Sequence, residues 1–597
     1  MPRARADAVP YFFLQRILIL STRQRYVRHR LGPKYLPLLA VTAWHGAALA
    51  AEPTTAGTLL RQNADVTRGI GTEPANEAMP VLPSSSITPA SSAGDELSFV
   101  VDDFDFGGTL SDAEQQHVDA LVAPWRGQSV TLGQLQTLRD ELTAVLYNGG
   151  DSLVRVALPP QTVTNGIVRF EVQRGHVESI EVTSGASPRS PLATERLRRM
   201  LASTDNDAPT LRDIERNARF VEGIPGVGSV SSSLSTGTQP GGTIVDVEVT
   251  PADRFHGAAT IDNAGSPQAG WRRLGLSGAL NDTLGLGDQL QAIVYTTPRA
   301  MQTRSGEDGR TRLGRLSYDL LTGYGWSRAG IAFAHVDYAL GGDFSGLGTG
   351  SADVASLYGA WPVLRDAGAS LDLGAGLEAR RATDQRFDHI LVSRQRSVIA
   401  SLRADGSLAG HWGERRNLLQ YGAVASQGTA KLNESDNSGV SPLLSSRSFH
   451  FFKLEPSAAY AQSVTPTTQL TVTLRGQWSS HALDGSQRLG LGGPTAVRAY
   501  DQNAAAVDDG LIASVTASQS FRSLPGAAVQ LFYDGAYGRT RSGAGLPGGS
   551  AHLQGYGVGV SYSGKHASAQ LSYAMRAGHA MDNTARHQTW ISLTTTF

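Results

Sequence analysis

The chain has no cysteine among its 597 residues, so neither disulfides nor thiolate metal sites contribute to its folding or chemistry. A protein that passes through an oxidising compartment loses nothing by that lack. Neither sign of charge predominates: 52 Lys and Arg stand against 53 Asp and Glu, a formal net charge of -1, which argues against nucleic acid as a partner. Beyond residue 51 no apolar run approaches the ~20 residues that a membrane-crossing helix needs. The 14 histidines show no HExxH or other metal-ligand spacing, and no GxSxG marks a hydrolase nucleophile. Gly559 to His566 resembles the opening of a phosphate loop, but it lacks the Ser or Thr that would hold magnesium and sits between two strand patterns. No enzymatic activity, cofactor or metal is therefore expected.

What is present begins with an export signal. Basic residues run to Lys34, an apolar stretch covers 36–49, and Ala48-Leu49-Ala50 sets the expected cleavage site, giving a signal peptide over 1–50. A second apolar patch at 11–20 makes the signal an extended one or the start codon an early one.

If the mature chain meets a membrane, it does so as a closed β-barrel, because lipid satisfies no backbone hydrogen bonds. From about Phe255 onward, segments of roughly ten residues alternate in polarity between Gly, Asp, Asn and Ser clusters. About sixteen such segments fit between 253 and 597. In 330–340, Ala332, Ala334, Val336, Tyr338 and Leu340 form an uncharged set that is expected to face lipid, with Ile331, Phe333, His335 and Asp337 inside. The last segment puts Ile591, Leu593, Thr595 and Phe597 on one face, Phe597 being the expected barrel carboxyl-terminal signal.

The region before the barrel differs in kind. Residues 51–96 are rich in Pro, Ser, Thr and Ala and read as a linker, with a short helix possible over 56–66 whose apolar content is too small for a core helix. Two units follow with one order, strand, two helices, two strands, at a spacing of roughly 75 residues. The first, 97–174, has a strand over 97–106, a capping box Ser111-x-x-Glu114, and a helix over 132–147 with Leu135, Leu138, Leu142 and Leu146 on one face. The second, 175–252, repeats the pattern with strands at 176–184, 227–234 and 242–249 and helices at 193–200 and 210–220.

These residues resemble a known family, the TpsB outer-membrane transporters of two-partner secretion (the ShlB/FhaC/HecB, haemolysin secretion/activation type). Tyr147 followed by Val154 to Leu158, Pro159, Pro160, Gln161 and Gly166 is similar to that family's first periplasmic POTRA domain. Asp262-Asn263-Ala264-Gly265 with Gly270, then Leu284 to Asp288, look like its first barrel hairpin. Gly492-Gly493-Pro494 and Val497-Arg498-Ala499-Tyr500 resemble the tip of a long inward-folded loop, here 479–507. Phe532-Tyr533-Asp534-Gly535 resembles the wall motif that receives the arginine. Two departures stand out: Ala499 replaces the more frequent glycine, and Gly535-Ala536 reverses the usual small-residue order.

The resemblance implies an outer-membrane β-barrel of about sixteen strands with two α+β POTRA-like domains in the periplasm, and an Arg498–Asp534 ion pair fixing the loop to the wall. It implies a large, unfolded TpsA-type exoprotein as partner, adhesin- or haemolysin-like, moved to the cell surface without ATP. Outer-membrane lipid and the barrel-assembly machinery are the other expected partners, and the barrel is expected to be monomeric. The 56–66 helix would plug the pore. Alternative readings are an assembly factor for other barrels, which generally carries more POTRA repeats, and a passive porin, which has no need of them.

Overall fold

The computed structural model describes residues 54–63 and most of 98–597. Residues 1–53 and 64–97 lie outside it, as do 149–152, 185–193, 205–208, 303–308, 324–325, 387–390, 437–444, 543–547, 579–584 and single residues at 240, 267, 367 and 503. The expected signal peptide and most of the linker therefore fall outside the described residues.

Sixteen antiparallel strands form one closed barrel, each paired with its neighbours in sequence from Phe255–Asp262 to His587–Thr596. The ring closes where the last strand meets the first, with Ser592 opposite Asp262 and Thr596 opposite Ala258. Phe597 extends that seam by exchanging backbone hydrogen bonds with Gly257 and lies beside the Phe255 ring at 6.3 Å between centroids. Closure leaves no sheet edge unpaired in the hydrocarbon. Strand length is uneven. The first strand has 8 residues, whereas Leu391–Trp412 and Arg415–Asp436 have 22 each, well beyond the ~10 residues a tilted strand needs to cross.

The expected facing of 330–340 is inverted. Within Arg328–Ala339, Ile331 and Phe333 are 61% and 52% exposed on the outside, while Ala332, Ala334, Val336 and Tyr338 are buried. The cause is inside the barrel. A seven-residue helix α1 (Ala56–Gln62) lies in the lumen, and its Ala56, Leu59 and Leu60 pack on Leu313, Ala334, Val336, Tyr338, Ala352, Val354 and Ala382. A lumen filled with protein asks for small apolar residues on its wall, so the polar-inside rule fails there. His335 and Asp337 share the outer face, with His335 Nδ1 2.7 Å from Asp353 Oδ1.

Before the barrel come two α+β units. In the first, Asp103–Gly107 runs parallel to Ile167–Arg174, which is antiparallel to Val154–Ala157, under helices α2 (Asp112–Val122) and α3 (Leu132–Asn148). Ser111 caps α2 by the reciprocal contact with Glu114, and Leu135, Leu138, Leu142 and Leu146 of α3 are buried. The strand expected over 97–106 is instead two, Ser98–Val101 and Asp103–Gly107, the former paired with an unforeseen strand, Gln128–Thr131. The break falls at Asp102, whose N–H donates to Gly166 O. Gly166 is required there: its φ is +66°, and a Cβ would stand 2.5 Å from Asp102 Oδ2. Gln161 extends this sheet through its amide, accepting from Arg169 N–H at 2.7 Å and donating to Arg169 O at 2.8 Å. Pro159 and Pro160 precede it in the same loop, and Tyr147 lies near the end of α3.

In the second unit, His176–Ser184 is parallel to Gly242–Pro251, which is antiparallel to Val227–Thr236, with helices α4 (Thr194–Leu201) and α5 (Leu211–Glu222). This unit joins the barrel rim. Phe220 of α5 stacks on Trp326 at 4.9 Å, Arg219 reaches Asp366 at 3.3 Å, and Leu321 shares a core cluster with Ile224. The neighbouring 282–288 turn is held by the Asp288 carboxylate, which accepts from the N–H groups of Thr283, Leu284 and Leu286.

Candidate functional site: the lumen loop and its wall

Between Thr468–Ser479 and Asp509–Phe521 the chain makes a long excursion, and its paired flanks Leu489–Gly490 and Ala506–Val507 form a two-stranded stem. Asp508 ties down the base of the stem, accepting from Leu483 N–H, Arg488 Nε and Arg541 N–H. Burial pushes the Asp508 carboxyl up, against the pull of these donors.

At the tip, Gly493 adopts φ +114° and donates to Tyr500 O, Val497 donates to Leu491 O, and Gly492 bridges to Val497. Pro494 follows Gly493, its fixed φ suiting a tight reversal. The result projects Leu491, Ala496, Val497, Ala499 and Tyr500 into one apolar cluster with the wall residues Phe532, Ala536, Ala551, Leu553 and Ala574.

Arg498 stands beside this cluster. Its Nε is 2.8 Å from Asp534 Oδ2 and its Nη2 is 2.6 Å from Oδ1, a two-point contact to a carboxylate that is 0% exposed. Its own backbone N–H also donates to Asp534 Oδ2 at 3.1 Å. Ser514 Oγ accepts from Nη2 at 3.0 Å and donates to Asp534 Oδ1 at 2.7 Å. The guanidinium carbon lies 3.4 Å from the Phe532 ring centroid. A planar cation with a fixed fork suits this combination of carboxylate, hydroxyl and ring face, which lysine would meet only in part.

Sequence reasoning missed the far side of the seat. Trp590 Nε1 donates to Arg498 O at 2.7 Å, Arg576 lies over the Tyr500 ring at 4.3 Å, and Gln588 donates to Asp501 Oδ1 at 2.8 Å. Burial raises the Asp501 carboxyl, an effect opposed by Arg576. Both departures from the family pattern have a geometric reading. Ala499 is not in the left-handed region; its methyl is buried over Gly555, where a Cβ would come within 2.5 Å of it. Gly535 lies on the outer face of its strand with open space at its Cβ, while Ala536 is the small residue that meets the loop.

Helix α1 is held by polar contacts at both ends. Ala56 N–H donates to Asp384 Oδ1 at 2.8 Å, and Tyr338 Oη donates to the same oxygen at 2.7 Å. At the other end Arg273 Nη1 meets Asn63 Oδ1 at 2.6 Å, and Arg61 Nη1 donates to Gly485 O of the loop at 2.7 Å. The helix's short apolar face is thus no bar to burial, because cap, wall and loop contacts hold both of its ends.

Residues 241–562, more than half of the chain, match the family described as haemolysin secretion/activation protein ShlB/FhaC/HecB. The chain belongs to this family. Residues 99–175 match the ShlB-type POTRA domain, coinciding with the first α+β unit. Among curated members, the chain is 25% identical over 487 residues to the heme/hemopexin transporter protein HuxB of Haemophilus influenzae, covering 79% of this chain and 82% of that one. It is 24% identical to the outer membrane transporter CdiB of Dickeya dadantii, covering 65% and 66%. The solved structure of CdiB from Escherichia coli shares the fold, with a TM-score of 0.63 over 92% of this chain and all of that chain at 22% identity. Like other ShlB/FhaC/HecB proteins, this chain is an outer-membrane transporter of two-partner secretion, with its POTRA units in the periplasm and a secreted TpsA-type exoprotein as its partner.

Proposed function

We propose that the exoprotein is captured unfolded on the second POTRA unit by β-augmentation and passed through a lumen that α1 and the Arg498 loop close at rest. The observation that carries this reading is the strand Val227–Thr236, ten residues long, mostly exposed, and, among the described residues, paired on one side only, with Gly242–Pro251. Such an edge offers backbone groups to an extended segment and so recognises an unfolded chain with little regard for its side chains. The unit sits at the barrel rim through Phe220 and Trp326, so a captured segment starts next to the lumen.

The lumen wall suits passage of a chain of mixed composition. Three of its ion pairs join opposite charges two residues apart on one strand: Glu378 with Arg380, Asp405 with Arg403, and Lys453 with Glu455. Paired charges leave little net field to trap or repel a passing segment. No nucleotide is at hand in the periplasm, so transport is driven by differences in binding and by folding outside, and the chain itself performs no catalysis. The barrel works as a monomer in contact with outer-membrane lipid and relies on the barrel-assembly machinery for its own insertion. Photo-crosslinkers at Ser231 and Ser233, both exposed, test the docking edge. A crosslink to one large exoprotein in secreting cells is expected, and crosslinks only to other barrel proteins would indicate an assembly factor instead.

A further inference from the structure

Four neighbouring strands, Ser445–Ser463, Thr468–Ser479, Asp509–Phe521 and Leu524–Thr540, change character on their outer faces within one pleat repeat. Toward the extracellular end, exposed Phe452 is followed by His450, Trp478 by Ser480, Leu511 by Asp509, and Tyr537 by Arg539. Phe452 and Trp478 meet edge to face at 6.2 Å. Two residues advance a strand by about 7 Å, so on each of the four strands the apolar-to-polar boundary is placed to within that distance. Aromatic residues at such a boundary mark where hydrocarbon gives way to headgroups.

Just above that level lies an open cavity of about 610 Å³ on the barrel wall, lined among others by His450, Ser480, His481, Arg539 and Arg541. Its charges are unequal. Arg539 Nε and Arg541 Nη2 lie 2.9 and 2.8 Å from the same Asp509 oxygen, so two guanidiniums share one carboxylate and one positive charge is left over. The neighbouring carboxylate, Asp508, is turned inward to Arg488 and to backbone N–H groups. Arg541 Nε is buried with no hydrogen-bond partner among the described residues.

We propose that this patch binds the phosphate-bearing headgroup of an outer-leaflet lipid, with the acyl chains lying down the Phe452, Trp478, Leu511 and Tyr537 column. Guanidiniums give phosphate its strongest two-point contacts, and the two imidazoles with the Ser480 hydroxyl add hydrogen bonds around the rim. The apolar column directly below selects a lipid over a soluble anion, because a free phosphate leaves it unused. Arg498 and Asp534 are not among the residues lining the patch.

The test uses the full chain, delipidated in detergent, with three probes: bis-phosphorylated lipid A, the same lipid dephosphorylated, and inorganic phosphate. Native mass spectrometry is expected to show saturable binding of the phosphorylated lipid, about tenfold weaker binding or less of the dephosphorylated form, and no competition by inorganic phosphate. The double variant Arg539→Gln with Arg541→Gln should lose about tenfold in affinity, with heat-modifiable gel mobility reporting that the barrel is folded. Should that variant not fold, His450→Gln with His481→Gln is expected to weaken binding severalfold. Equal binding of both lipid forms, full competition by inorganic phosphate, or unchanged affinity in the folded variants would overturn the proposal.

Discussion

Arg498→Ala should free the loop tip without unfolding the barrel, and the size of the effect follows from its contacts. The substitution deletes the two-point contact to Asp534, the Ser514 hydrogen bond and the stacking on Phe532. Removing one member of a buried pair costs about 3 to 5 kcal/mol, because the other charge is left behind. Asp534 keeps two donors, the residue 498 backbone N–H and the Ser514 hydroxyl, so the lower end applies. About 3 kcal/mol shifts the balance between docked and undocked loop roughly a hundredfold. The absence of cysteine makes this measurable: Ala496→Cys, 6% exposed at the tip, is then the single thiol in the chain. Its labelling rate by a water-soluble thiol reagent should rise about a hundredfold in the Arg498→Ala background. Arg498→Lys should fall between, keeping the charge but losing the fork and the ring contact. Combining Arg498→Ala with Asp534→Asn should add little further. Secretion should fall in step with loop release. A labelling rate within about twofold of the parent would refute the latch, since it would mean that the apolar cluster alone holds the tip.

The other predictions concern the plug and the first periplasmic unit. Asp384→Ala leaves the Ala56 N–H without its acceptor and the Tyr338 hydroxyl with only its longer contact to Thr54 O, so α1 should loosen by about 1 to 3 kcal/mol and the open-pore conductance in planar bilayers should become more frequent, with unchanged conductance counting against the plug. Hydrogen bonds from the Ser111 backbone and hydroxyl, with Arg174 nearby, hold the Glu114 carboxyl down at about 2. Its folded form therefore binds fewer protons than the unfolded chain. The stabilisation is complete above the ordinary carboxylate range of about 4 to 4.5 and is lost as pH falls through that range toward 2. Because the site is near the surface, the effect is about 1 kcal/mol or less. Thermal melts of the protein at pH 6 and pH 3 should show the first unit weakening more than it does in Glu114→Gln, and equal slopes would contradict the capping account.

Much of this was legible because it is local. Period-two alternation and turn clusters led to a barrel of about sixteen strands, the Ser111 and Glu114 spacing to a capped helix, and Leu135, Leu138, Leu142 and Leu146 to a core face. Arg498 and Asp534 were legible because each lies in a short motif. What escaped depends on packing between distant segments. The facing of 330–340 could not be read without knowing that α1 fills the lumen beside it. The break at Asp102 depends on Gly166, and the strand Gln128–Thr131 is too short to show a period. Gly555, Arg576, Gln588 and Trp590 stand on three different strands, and nothing in their spacing announces that they meet a loop tip.

The seam between the first and last strands has a consequence for how the molecule is made. Asn263 Oδ1 accepts from Ile591 N–H across 328 residues of sequence, and the pairs that close the ring all join segments about as far apart. Contacts of that separation form late, since the loop entropy is lost before any contact rewards it. Until His587–Thr596 is in place, both Phe255–Asp262 and Ala567–Arg576 present bare edges, which other strands can join wrongly. The α+β units have no such wait, as their partners lie within about eighty residues of one another. The chain is thus expected to fold from its amino-terminal units outward, with the hoop shut last.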